Sequence, residues 1–330
     1  MTSTELAKLC YISRATVDRV FNNRGNVNEK TREYILRVAK SVNYRPNYFA
    51  KSLVTGKSMT IGLLLPSMVN TFFYDLFQAV SNTAQQSNYA VLASFYEDKP
   101  GQEEEGLGRL LDRHIDGILL FSTEKDSTCA ETLRQRNTPA IALMNRLSNI
   151  PCVSTDYYRA MKDAVNYVLS KGYRRLLFIC PPLEYADSRN MDALVKRYQG
   201  YLDAVRQHNS DSSESVEPEV IDTSDYLSRI QSISLGAEKT AFLCSSDIYA
   251  LRIIKSLKMR GISVPAQAGV MGFDGINILS YLEPTLATVK IMIDRLGIAS
   301  VQQLVRLIDS GVPPEDLTVP YSIEPGQSIV

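Results

Sequence analysis

A small all-α head followed by a larger α/β body of two doubly wound parallel-sheet halves is the architecture this sequence predicts. Three observations carry it. Charge divides sharply near residue 58, the segment before that point reads as short amphipathic helices, and strand-like and helix-like segments alternate in two similar series from Met59 onward.

At 330 residues and 45% hydrophobic content the chain can bury a sizeable core, and its length suits two or three domains. No apolar run approaches the roughly 18 residues of a membrane span, and Glu5 and Lys8 interrupt the N-terminus where a signal peptide would be apolar. A cytoplasmic location without membrane contact is expected. Cys10, Cys129, Cys152, Cys180 and Cys244 are odd in number and far apart with no C-x-x-C pair, and His114 and His208 are the only histidines. Neither a disulfide framework nor a metal site is indicated, and no cofactor is expected. Residues 1–58 carry eleven Lys and Arg against four acids, a balance of +7, which leaves 25 against 32 and −7 for the remainder. A basic head on an acidic body suits a polyanion met by the head alone, although a solvated lysine-rich surface would show the same balance.

Within the head, Leu6, Ala7 and Cys10 share one helical face, a tight Tyr11-Ile12-Ser13 connection follows, and Ser13 has the chemistry of an N-cap. From Arg14 to Asn22 the apolar Ala15, Val17, Val20 and Phe21 are expected to face inward, leaving Arg14, Thr16, Asp18 and Arg19 largely outside. Two short helices with a three-residue turn make a helix-turn-helix. A third helix, capped at Asn28 and running to about Val42, buries Tyr34, Ile35, Val38 and Ala39 in this reading. The second helix is short enough to enter a major groove N-terminus first, which puts Arg14, Ala15 and Arg19 nearest the base edges. Asp18 stands one turn from Arg14 and can orient it as an i, i+4 pair. Further on, Asn47 can cap a short helix that Gly56 ends, with Ala50 and Leu53 on one face.

The run L-A-K-L-C-Y-I-S-R-A-T-V-D-R-V-F-N-N-R-G-N-V-N-E-K-T-R-E resembles the DNA-reading head of the LacI/GalR regulators almost position for position. N-Y-R-P-N-Y-F-A-K-S-L-V-T-G-K-S at 43–58 resembles that family's hinge helix. The resemblance implies a helix-turn-helix domain over 1–46, a hinge over 47–58, and an effector-binding and dimerisation domain over 59–330. Double-stranded operator DNA, a small sugar-like effector and a second copy of the chain become the expected partners. Implied DNA contacts on the recognition helix are Arg14, Ala15, Thr16, Arg19 and Asn22, with Asn28, Thr31 and Tyr44 behind it. In the hinge they are Asn47, Lys51, Leu53 and Lys57, Leu53 standing where the family wedges a leucine into a central base step.

The body continues as strands and helices from Thr60 to Met144, and the pattern restarts after Thr155 and runs to Phe273. Two similar halves imply a ligand cleft between them. The polar run Asn209–Glu217 reads as a mobile surface loop. The body resembles the periplasmic sugar-binding fold, with the late helix Ile293–Asp309 returning the chain to the first half. That likeness implies three crossings, one subdomain of about 59–156 with 290–318, and another of about 157–289 with 319–330. N-T-F-F at 70–73 resembles the N-P-F-F of sugar binders, making Asn70, Phe72 and Phe73 candidates for the cleft. Asn145 and Arg146 match an Asp-Arg pair at a strand end, Arg197 matches an arginine that meets effector, and M-G-F-D-G places Asp274 where the family takes sugar hydroxyls. Ser246 stands for a common Asn, and Ile291 with Met292 replaces a polar Gln-Pro pair, so the site should be less polar than a typical hexose site.

Other classes fit less of the chain. G-L-G at 106–108 lacks the third glycine of a dinucleotide fingerprint, and neither a P-loop nor a G-x-S-x-G elbow is present, so no catalytic residues are expected. His114 and His208 read as surface residues at helix ends. A sugar-binding transport-type protein would explain the body and leave the basic head idle. The segment ending at Val330 carries no leucine heptad, which favours a dimer over a tetramer.

Overall fold

The computed structural model describes every residue except 22–24, 46–55, 98, 126–127, 214 and 237. It divides into two compact units, Met1–Met59 and Thr60–Val330. In the first, α1 (Ser3–Leu9), α2 (Arg14–Phe21) and α3 (Glu29–Ser41) pack around Leu6, Ala7, Cys10, Val17 and Ala39. Thr2 and Glu5 cap α1 reciprocally, the Glu5 N–H donating to Thr2 Oγ1 (3.2 Å) and the Thr2 N–H to the Glu5 carboxylate (2.7 Å). Asn28 caps α3 by accepting from the Lys30 N–H at 2.9 Å.

Two expected core positions are corrected. Ala15 is exposed, because the inward stripe of α2 is set by Val17 and Val20, three residues apart, and Ala15 lies well round the helix from them. Tyr34 is 39% exposed for the same reason, since Ile35, Val38, Ala39 and Val42 make the inward face of α3.

In the second unit the chain runs β1 (Thr60–Pro66), α4 (Thr71–Gln86), β2 (Ala90–Tyr96), α5 (Gln102–Leu111), β3 (Gly117–Leu120), α6 (Thr128–Gln135), β4 (Ala140–Leu143) and β5 (Cys152–Thr155). The second series is α7 (Tyr157–Ser170), β6 (Arg175–Cys180), α8 (Asp192–Asp211), β7 (Pro218–Asp222), α9 (Tyr226–Ser232), β8 (Thr240–Cys244), α10 (Asp247–Met259), β9 (Ala268–Asp274) and β10 (Ala287–Ile291). Helix α11 (Ile293–Ser310), β11 (Leu317–Val319) and β12 (Tyr321–Glu324) complete it. Two sheets of six strands result, in the orders β11-β5-β4-β3-β1-β2 and β12-β10-β9-β8-β6-β7. Every pairing is parallel except β10 with β12. Parallel strands covered on both faces are mostly apolar, as in Gly117–Leu120 and Thr240–Cys244, where every residue is buried.

The chain passes between the two lobes after β5, after β10 and after β11, so the lobes are joined by three short strands of backbone. Strand β10 continues through Ile291, which moves the second passage just past the expected residue 290. The short strands β5, β10, β11 and β12 have no turn signal or period-2 pattern long enough to be read from sequence. Nor does the polar run begin as a loop. Helix α8 extends to Asp211, and the Asn209 amide closes on the Val216 backbone, donating at 2.8 Å and accepting at 2.8 Å, with Val216 buried.

Helices α7 and α8 pack at unusually close range through Gly200, where an added Cβ would stand 2.3 Å from the Tyr158 carbonyl oxygen. Gly200→Ala is expected to destabilise the body by about 3 kcal/mol, the upper range for forced overpacking. Urea unfolding read by far-UV circular dichroism measures it, and an unchanged midpoint would refute the close approach.

Candidate functional site

In the head, the Arg14 side chain is exposed and its Nε lies 3.5 Å from the Asp18 carboxylate, the i, i+4 pair expected from the sequence. Both groups face water, so the pair orients the guanidinium more than it stabilises the helix. Ser13 Oγ accepts from the Thr16 N–H at 3.2 Å and lies 2.9 Å from Thr16 Oγ1, tying off the N-terminus of α2. Arg14, Ala15 and Arg19 are all exposed on this helix, and Asn28 is exposed at the start of α3 with Thr31 half-buried one turn on. Tyr44 serves the head's own core: its ring meets Phe21 edge-on at 5.2 Å, and burial raises its hydroxyl pKa. Lys57 is half-buried, whereas Asn22, Asn47, Lys51 and Leu53, with the expected hinge helix, lie outside the described residues.

In the body, a cavity of about 240 Å³ opens between the lobes at the carboxyl ends of the strands. Asn70, Phe72, Phe73, Asn145, Arg197, Ser246, Asp274 and Ile291 all line it. Asn70 caps α4, accepting from the Phe72 N–H at 3.1 Å, and this places Phe72 and Phe73 at the rim of the first lobe. The Phe73 ring stands edge-on between Phe72 (5.5 Å) and Phe121 (5.2 Å). Across the cavity, the Arg197 guanidinium lies over the rings of Tyr157 (5.2 Å) and Phe273 (4.7 Å), with Nε donating to the Ala193 carbonyl and Nη1 to the Ser245 carbonyl. Asp274 sits 3.9 Å from Arg197 Nη1, beyond hydrogen-bond range, in a left-handed backbone conformation with φ +119°. Such strain in a non-glycine residue persists where the surroundings enforce it.

Two sequence assignments change. Arg146 does not line this cavity; it pairs with Asp316 and borders a larger groove of about 960 Å³ lined by residues of both lobes. It follows Asn145, which turns inward, so the neighbouring side chain is sent outward. Asn145 does reach the cavity, but its amide is already committed: it donates to the Ser122 carbonyl (3.0 Å) and the Asn190 carbonyl (2.9 Å) and accepts from the Ala193 N–H (3.2 Å). The bonds to Asn190 and Ala193 cross from the first lobe to the second, while the bond to Ser122 stays within the first. Sequence reasoning missed Phe121, Met144, Tyr157, Met191 and Tyr249 in the lining. Phe121 and Met144 follow β3 and β4 directly, so the strand-end rule applied to every strand would have found them; Met191 lies in irregular chain that gave no signal.

Residues 3–47 match the family described as bacterial regulatory proteins, lacI family, and residues 165–329, half of the chain, match a periplasmic binding protein-like domain. This chain belongs to the lacI family of bacterial regulatory proteins. Among similar proteins, the HTH-type transcriptional repressor CytR of Escherichia coli K12 is 28% identical over 299 residues, covering 87% of this chain and 84% of CytR. The fold of this lacI-family protein is shared with a lac repressor dimer bound to operator and an anti-inducer (TM-score 0.84, 21% identity, 100% and 99% of the two chains). It is also shared with a CelR–cellobiose complex (TM-score 0.69, 22% identity, 99% of each chain).

Burial raises the Asp274 carboxyl well above the usual carboxylate range; Arg197 opposes the shift, Asp247 adds to it by repulsion, and an Asn70 side-chain hydrogen bond counters it. A carboxyl whose pKa is raised on folding contributes stability below its unfolded value, and that contribution is lost as pH rises through the folded value. Asp274→Asn should therefore melt higher than the wild type near pH 8, with the gap closing as pH falls toward about 5. Differential scanning calorimetry across that range checks it, and a pH-independent gap would show that Asp274 is ionised throughout.

Proposed function

We propose that this protein is a transcription repressor that binds a palindromic operator as a homodimer and answers to a small sugar or sugar derivative held in the cleft between its lobes. The observation that carries the reading is the cleft itself: a buried carboxyl group and an arginine 3.9 Å from it face a cavity walled by aromatic rings, in a lacI-family chain whose head is basic. Hydroxyls of a compact ligand would satisfy Asp274, while Phe72, Phe73 and Phe121 offer apolar faces. At about 240 Å³ the space suits one sugar ring. The bound cellobiose and operator of the two fold relatives support the ligand and DNA classes by analogy. A sugar panel should contain a compound that raises the melting temperature of the wild type and leaves Asp274→Ala unshifted. If every compound that shifts one shifts both equally, Asp274 leaves the site.

Dimerisation is assigned to an exposed apolar surface on one side of the body. Tyr74 (46% exposed) and Phe95 (40%) belong to the first lobe, Ile278 (45%) and Tyr281 (85%) to the second. The hydrogen bonds from Asn277 to Asp75 bring the two segments together. A patch crossing both lobes is what two copies need if each is to present one head to a two-fold operator. Tyr281→Asp is expected to shift the protein from dimer to monomer in sedimentation velocity; an unchanged coefficient would place the interface elsewhere.

Binding of the full chain to duplex DNA should weaken steeply with salt, because the head's cations displace counterions from phosphates. Removing Lys57 should reduce the slope of log affinity against log salt by about one if it meets phosphate. A wild-type slope near zero would sink the DNA assignment.

A further inference from the structure

The turn between α1 and α2 carries a side chain that the head does not use for itself. Tyr11 sits there with φ +56° and 93% of its surface exposed. Left-handed backbone is costly for a bulky L-residue and free for glycine. The two backbone hydrogen bonds that close the turn, from the Tyr11 N–H to the Lys8 carbonyl (3.1 Å) and from the Ile12 N–H to the Ala7 carbonyl (3.0 Å), involve no side-chain atom. Glycine would make both with less strain. Cys10 before it is buried and Ile12 after it packs on the head core, so the ring between them adds nothing to that core. A strained backbone and a solvated aromatic ring therefore meet at one residue, and among the described residues of the head no side-chain contact offsets either.

Its position identifies what does. Tyr11 lies two residues before Ser13, whose hydroxyl caps the N-terminus of α2. When a recognition helix enters a major groove N-terminus first, the turn before it comes to the groove's edge, where the phosphates run. Lys8, whose carbonyl the Tyr11 N–H meets, and Arg14, the first residue of α2, stand three residues to either side of Tyr11 in the chain and are both exposed. Lysine and arginine supply charge toward phosphate, and a tyrosine supplies a directional O–H donor and a flat face for the sugar.

We propose that Tyr11 is a DNA-backbone contact, its hydroxyl donating to a phosphate oxygen and its ring lying against the adjoining deoxyribose. The proposal rests on the reading of the head as a DNA-binding unit and adds a residue to it. Because phosphate contacts carry no sequence information, it can be tested without knowing the operator.

The experiment compares the full-length wild type, Tyr11→Gly and Tyr11→Phe for binding to two short duplexes of unrelated sequence by fluorescence anisotropy at low salt, alongside their melting temperatures. Tyr11→Gly is expected to melt at the same or a higher temperature and to bind both duplexes about three to ten times more weakly, the worth of one hydrogen bond. Tyr11→Phe should fall between the two. Equal affinity of wild type and Tyr11→Gly would overturn the proposal while leaving the DNA reading intact. A lower melting temperature for Tyr11→Gly would overturn it by showing that the ring serves the head's own fold. A loss on only one duplex would overturn the backbone assignment in favour of a base contact. Absence of salt-dependent binding by the wild type would remove the reading on which the proposal stands, and the proposal with it.

Discussion

Asp247, the first residue of α10, is wholly buried, and both its carboxylate oxygens are committed. Oδ2 accepts from the Gly275 N–H (2.7 Å) and the Ile276 N–H (3.0 Å), and Oδ1 accepts from the Thr288 hydroxyl (2.6 Å). Burial raises its pKa, and these donors hold it down. Gly272 is small because it must be: a Cβ there would stand 2.1 Å from Oδ1. One carboxylate thus pins the turn after β9 to the helix and strand beside it. That turn begins at Asp274, whose strained backbone presents a second carboxylate to the cavity, and continues to Asn277, which bonds Asp75 in the other lobe. The cavity-facing carboxyl of Asp274 and an inter-lobe contact are therefore set by the same buried anchor.

Much of this fold could be read in advance because its elements are long or strongly patterned. Strand β6 shows as a continuous apolar run and helix α7 by its period, and the cap chemistry of Asn28 and Asn70 is local. What stayed hidden depends on tertiary context. Strands of three to five residues such as β10 and β11 carry too few positions for a period and are strands only because a neighbour offers its edge. The site divides the same way. Residues at strand ends, Asp274 and Ser246 among them, were legible, since topology sends them to the cleft. The different fates of Asn145 and Arg146 were not. Adjacent residues at a strand end point to opposite sides, and which one turns inward is decided by Ala193 and Asn190, which lie more than forty residues along the chain.

Among the described residues, hydrogen bonds join the lobes at several points. Asp75 receives the backbone N–H (3.1 Å) and side-chain amide (3.0 Å) of Asn277; Asn145 meets Asn190 and Ala193; the Asn190 N–H meets the Thr123 carbonyl (2.8 Å); and the Lys125 ammonium meets the Asp187 carbonyl (3.0 Å). Each is a hydrogen bond worth about 0.5–1.5 kcal/mol net, so together they hold the lobes by several kcal/mol, against a hinge of three short chain passages. By contrast each lobe is held by a buried sheet and apolar clusters that no small molecule can rearrange. A ligand can move an equilibrium only by its difference in affinity for the two states, commonly 1–3 kcal/mol. The lobe-to-lobe bonds are of that magnitude and the lobe interiors are far beyond it. The cavity flanked by those bonds is therefore a place where binding of a small molecule could change the arrangement of the lobes, and the turn that begins at Asp274 runs on to Asn277, which bonds Asp75 across them.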